Sequence, residues 1–115
     1  MKFFILLALL HQEPSFDSVK GELARWESDG GQNKVHVNVN MTIDCGLYQI
    51  NSRHFVSRDD VGLAFDSIFV SYGVGVKLHE RVVAAITNDR LNEDLARKLY
   101  RLRGLKSWTS YKKRH

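Results

Sequence analysis

The sequence predicts a single, mostly helical α+β domain. Three observations carry that expectation. A chain of 115 residues suits one domain with one core. Most apolar residues recur at helical spacing, in segments closed by Gly, Asn or Asp. Only one stretch, Val35 to Met41, alternates with a period of two.

Taken in order, Lys2 precedes an apolar run, Phe3 to Leu10. It reads either as a first core helix packing Phe3, Leu6, Leu7 and Leu10, or as an export or anchor segment over residues 1–12. No small-residue cleavage pair follows it. Glu13-Pro14-Ser15 is a break, because proline lacks an N–H and disfavours helix at the residue before it. Asp17 or Ser18 then caps a helix through Val19, Leu23, Ala24 and Trp26 to Glu27, and Asp29-Gly30-Gly31 ends it. Val35, Val37, Val39 and Met41 are expected on the buried face of a strand, with Thr42–Cys45 returning as the second arm of a hairpin. Leu47–Asn51 suits a helical turn. Ser57-Arg58-Asp59-Asp60 has the form of a capping box ahead of Val61, Leu63 and Ala64. A long helix is expected from about Asp66 to Ile86, weakened by roughly 1 kcal/mol at each of Gly73 and Gly75. The last clear helix starts at Asn92 or Glu93, lines Leu95, Leu99 and Leu102 along one face, and stops at Gly104. That makes five or so helices and one hairpin, with residues 105–115 as a basic tail.

Composition closes off several classes. Hydrophobic residues make up 43% and charged residues 26%, as in ordinary globular domains, and no apolar run approaches the ~20 residues of a spanning helix. One cysteine, Cys45, excludes an internal disulfide framework. Five histidines without metal spacing and the lack of a Gly-rich phosphate loop leave neither a metal nor another cofactor indicated. The net charge of +4 is uneven. Residues 95–115 hold eight bases and no acid, which leaves nine bases against thirteen acids in residues 1–94. Such an end suits an anionic polymer: an acidic cell wall, lipid headgroups or nucleic acid.

Chemistry points to Glu27 and Asp44, one near a helix end and one near the end of the hairpin. Cleaving a glycosidic bond needs one carboxyl group that donates a proton and one carboxylate that supports the positive sugar ring. An apolar wall favours the protonated form, whereas a setting of Asn and Thr favours the ionised one. Asn38, Asn40, Gln49 and Asn51 add amides, which both donate to and accept from sugar hydroxyls and acetamido groups.

The words around these residues narrow the reading. Ala24-Arg25-Trp26-Glu27-Ser28, followed by Thr42-Ile43-Asp44-Cys45-Gly46-Leu47-Tyr48-Gln49-Ile50-Asn51-Ser52-Arg53-His54-Phe55, resembles the lysozyme-like superfamily of small lytic transglycosylases and c-type lysozymes. Gly46 follows Glu27 by nineteen residues, as in that pattern. The resemblance covers residues 22–55 well and continues loosely to the C-terminus. It implies a lysozyme-like fold with the small hairpin flanking a glycan groove, and cleavage of the β-1,4 bond between N-acetylmuramic acid and N-acetylglucosamine in peptidoglycan. By resemblance Glu27 is the catalytic acid and Asp44 the second carboxylate. Ser28 is the serine that follows the acid, and Gly46, Gln49 and Asn51 line the groove.

Near the C-terminus two alignments compete. Gly104–Tyr111 is similar to a c-type segment whose first Trp packs by the acid, which makes Trp108 a groove wall. Tyr100–Gly104 instead occupies the place of a transglycosylase segment whose Tyr sits by the acid, with Arg101 where that segment has Asn. The lack of disulfides favours the bacterial and phage type over a secreted animal lysozyme, while Asp44 and Trp108 favour a hydrolase. The implied partners are peptidoglycan glycan strands, with anionic wall polymers on the basic C-terminus. The place of action is the bacterial cell wall, by periplasmic, secreted or virion-borne delivery. The rivals are a non-catalytic glycan-binding or virion protein of the same fold, and a nucleic-acid binder.

Overall fold

In the computed structural model, residues 14–108 are described. The expectation for residues 1–12, and the tail residues Lys112, Lys113 and Arg114, lie outside them. Helix α1 (Phe16–Ser28) is capped by Ser15, whose side chain accepts from the Ser18 N–H, one turn earlier than Asp17 or Ser18 would have placed the start. It buries Phe16, Val19, Leu23 and Ala24 and ends at Asp29, which is left-handed at φ 54° and leads into Gly30 and Gly31.

A three-stranded antiparallel sheet follows, in the order β1 (Val35–Val37), β2 (Ile43–Cys45), β3 (Ile50–Asn51). The expected long strand to Met41 stops at Val37. Asparagine side chains take over the hydrogen bonding there: Asn40 accepts from the Thr42 N–H (3.1 Å) and hydroxyl (2.6 Å), and the Asn38 amide reaches that hydroxyl (3.2 Å). The residues between make a turn, with Met41 at φ 71°. Val35, Val37, Val39 and Met41 are all exposed rather than buried, because β1 is an edge strand that packs chiefly on β2. The third strand was not expected. Gly46 and Gln49, both with positive φ, reverse the chain where a helical turn was anticipated.

A 3₁₀ turn (Ser52–Phe55) leads to α2 (Asp60–Ser71), capped by Asp59 accepting from the Gly62 N–H rather than by Ser57. Leu63 is exposed. The expected single helix from 66 to 86 is two: α2 stops at Ser71, Gly73 takes φ 73°, and α3 (Leu78–Thr87) begins afresh. Helix α4 (Asp89–Arg103) starts earlier than expected, because Asn88 supplies the cap, and is followed by a 3₁₀ turn (Gly104–Ser107). The described residues thus form four α-helices around one small sheet.

Phe55, Phe65 and Phe69 meet edge to face or tilted, at 5.1 and 6.2 Å between centroids, and join Leu23, Ile50, Leu91, Leu95 and Trp108 in one core. Two buried polar side chains stitch the elements together. Arg81 donates to the carbonyls of Gly75 (2.9 Å) and Phe55 (2.8 Å), pairs with Asp66, and lies over the Phe69 ring. Asn92, wholly buried on α4, accepts from the Tyr48 N–H (2.8 Å) and donates to the carbonyls of Cys45 (2.8 Å) and Ala85 (2.9 Å). Gly46 lies against that amide, so close that a Cβ there would come within 2.3 Å of Asn92 and of the Ala85 carbonyl.

Asn92→Ala would remove three buried hydrogen bonds, to the backbone of Cys45, Tyr48 and Ala85. At about 1–3 kcal/mol each, the expected loss of stability is at least ~3 kcal/mol, read as a shift of the urea midpoint. Gly46→Ala, which combines a clash with a left-handed backbone, is expected to destabilise the fold as well.

Candidate active site

The turn between β2 and β3 is where the pieces of the site converge. Ser28, the last residue of α1, buries its hydroxyl and donates to the Leu47 carbonyl at 2.6 Å, while accepting from the Gly31 N–H at 3.0 Å. Asn92 holds the same turn from α4, and the Trp108 indole donates to the Tyr48 carbonyl at 2.8 Å. The Gln49 amide closes the turn on the Gly46 carbonyl (2.9 Å). Glu27, one residue before Ser28, is thereby fixed with the end of α1 against the sheet.

A groove of about 1110 Å³ opens between α1 and the sheet. Glu27 lines it from the helix, and Asp44, Gln49 and Asn51 line it from the sheet. Trp108 and Ser107 lie at one wall, and Asn38 and Asn40 come from the turn after β1. The backbone register explains the sheet's contribution. His36 stands opposite Asp44, and Asp44 opposite Asn51, so the three share one face of the sheet. Asn51 donates to Asp44 Oδ1 (2.9 Å) and to the Thr42 hydroxyl (3.0 Å), while its oxygen accepts from the Arg53 N–H (2.9 Å). The amide thus fixes the direction of the Asp44 carboxylate.

Five of the eight sequence-derived site residues meet in this groove: Glu27, Asp44, Gln49, Asn51 and Trp108. The other three lie elsewhere. Ser28 is buried beneath the groove and orients the helix end. Gly46 is buried against Asn92, where only a glycine fits. Tyr100 packs on the Phe16 ring at 5.8 Å and donates to the Pro14 carbonyl, away from the groove lining. Trp26, His36 and Arg53 line the groove without having been singled out. The register signal for His36 becomes visible only once the strands are paired, whereas Arg53 stands within the quoted motif.

Cys45 is buried beside Asp44, and burial first, then that negative charge, pushes its thiol up to about 12. It stays protonated and unreactive at neutral pH. Among the described residues no group of His, Cys, Asp or Glu side chains is arranged to hold a metal ion, and no helix is long and apolar enough to cross a membrane. Comparison with protein-family models, curated proteins and solved structures gives no match.

His54, next to the groove on the 3₁₀ turn, packs its ring edge-on to Phe65. Burial, with the positive charge of Arg53 second, holds its pKa below the usual 6.5. The unfolded chain therefore takes up a proton first as the pH falls through about 6.5, and folded-state stability falls with it. Asp17, Asp59 and Asp60 are all lowered from 3.8, so their contribution is lost only in stronger acid. Urea midpoints at pH 7.5 and 5.5 are expected to differ in the wild type and to converge in His54→Gln.

Proposed function

We propose that the chain is a peptidoglycan glycosidase with a lysozyme-like fold, cleaving the β-1,4 bond between N-acetylmuramic acid and N-acetylglucosamine. The observation that carries this reading is the single groove lined by Glu27 from a helix and Asp44 from the sheet, with amide side chains around them. Acid-assisted glycoside cleavage uses a pair of carboxyl groups flanking the scissile bond, and a pair lining one groove from separate elements supports that reading. A long polar groove suits a glycan strand, whose hydroxyl and acetamido groups match the amides of Asn38, Asn40 and Gln49.

In this mechanism Glu27 protonates the glycosidic oxygen as the bond to the anomeric carbon breaks. Asp44, its carboxylate aimed by Asn51, supports the positive charge on the muramic acid ring. The reaction then ends in one of two ways. Water attacks the anomeric carbon, Glu27 accepts its proton, and a reducing end results. Otherwise the ring's own 6-hydroxyl attacks, gives its proton to Glu27, and leaves a 1,6-anhydro product. No cofactor takes part in either route. The site of action in this reading is the bacterial cell wall, an anionic polymer that the excess of bases in residues 95–115 suits.

Mass spectrometry of the products released from purified peptidoglycan tests the reading. Reducing-end muramic acid marks a hydrolase and anhydro-muramic acid a transglycosylase. Glu27→Gln is expected to lower the rate by about 10²–10⁴-fold, the usual range for a general acid. Asp44→Asn is expected to reduce the rate by less if the product is the anhydro form. Equal product from wild type and Glu27→Gln, or no soluble product from the folded wild type, would overturn the catalytic assignment in favour of a glycan-binding role.

A further inference from the structure

The groove carries a cationic feature that cleavage itself does not use. Its charged lining residues, among those described, are Glu27, Asp44 and Arg53, with His36 as an imidazole beside them. Arg53 is exposed on the 3₁₀ turn immediately after Asn51. Three other arginines hold aspartates: Arg81 with Asp66, Arg97 with Asp17, Arg103 with Asp60. Arg53 forms no ion pair among the described residues, and the Asn51 amide engages Asp44 in its place. An unpaired guanidinium on a groove wall is a ready partner for a carboxylate, which it binds through two parallel N–H donors.

We propose that Arg53 recognises a carboxylate carried by the muramic acid ring and so selects acidic glycans over neutral chitin-like ones. The proposal rests on the function put forward above. If Asp44 supports charge at the anomeric carbon, the muramic ring lies on the sheet side of the groove. Asp44 stands in register between His36 and Asn51, and Arg53 follows two residues after Asn51. The ring's lactyl substituent, on the carbon two removed from the anomeric one, then lies in the same groove that Arg53 lines. The carboxylate has two sources: the lactyl group itself where the strand is bare, or the peptide stem where it is substituted.

The test compares wild type, Arg53→Gln and Arg53→Lys on three substrates. These are chitohexaose, glycan strands stripped of peptide by an amidase, and strands with intact stems. Arg53 is exposed, so the fold should be kept, which circular dichroism checks. The expected result for Arg53→Gln is a fall of about ten-fold in kcat/KM on carboxylate-bearing strands relative to chitohexaose, carried mainly by KM. Arg53→Lys, which keeps the charge but not the two parallel donors, should recover part of it. A loss on stripped strands assigns the lactyl carboxylate; a loss confined to stem-bearing strands assigns the peptide. Equal effects on all three substrates, or none, overturn the proposal while leaving the glycosidase reading intact. If the wild type cleaves nothing, the glycosidase reading fails, and equilibrium binding of the same three polymers decides the Arg53 question separately. Weaker binding of acidic strands alone by Arg53→Gln upholds the carboxylate contact, and unchanged binding overturns it.

Discussion

The Asn92 amide is the contact on which the rest of the site depends. A four-residue reversal from Gly46 to Gln49 has too few residues to satisfy its own backbone in the interior. Asn92, on a neighbouring helix, accepts from the Tyr48 N–H of the turn and donates to Cys45 at its start and to Ala85 on α3, and Ser28 and Trp108 supply two more donors to the turn. Buried polar groups that are all satisfied in this way define one arrangement and penalise every other. The glycine at position 46 follows from the same constraint, since the amide occupies the space a side chain would need.

That constraint gives a physical account of Ser28 and Gly46. Ser28 and Gly46 do not line the groove; they bring the end of α1 onto the turn and let the turn form. Asp44, Gln49 and Asn51 then stand on the groove wall because alternate residues of β2 and β3 face it and the turn fixes their register. The electrostatic pairs around Asp17, Lys20, Glu93 and Arg97 tie α1 to α4 from outside, but exposed pairs of that kind contribute little.

How much was legible follows from the range of each interaction. The mostly helical class, the stop of α1 at Asp29-Gly30-Gly31 and groove residues such as Glu27, Asp44, Gln49 and Asn51 were readable, because they rest on local punctuation or on a short run of words. The errors share one cause. The alternation from Val35 to Met41 promised a buried strand, yet Asn38 and Asn40 bond locally and β1 lies at an edge. Gly73 divided a helix that apolar spacing alone would have joined. Tyr100 and Trp108 were equivalent from sequence, and only the packing of α4 against Phe16 separates them. Asn92 was read as a helix start and not as a tertiary contact, since its partners lie 44 and 47 residues away.

Those separations have a consequence for the order of assembly. The Trp108 indole reaches back 60 residues to close on Tyr48. Contacts of such span form late, because the entropy of closing a long loop must be met before the contact exists. During synthesis the sheet and α1 emerge well before either Asn92 or Trp108 is available to hold the turn. A nascent chain that stops short of α4 therefore has both carboxyl groups but only the Ser28 contact to hold the turn between them.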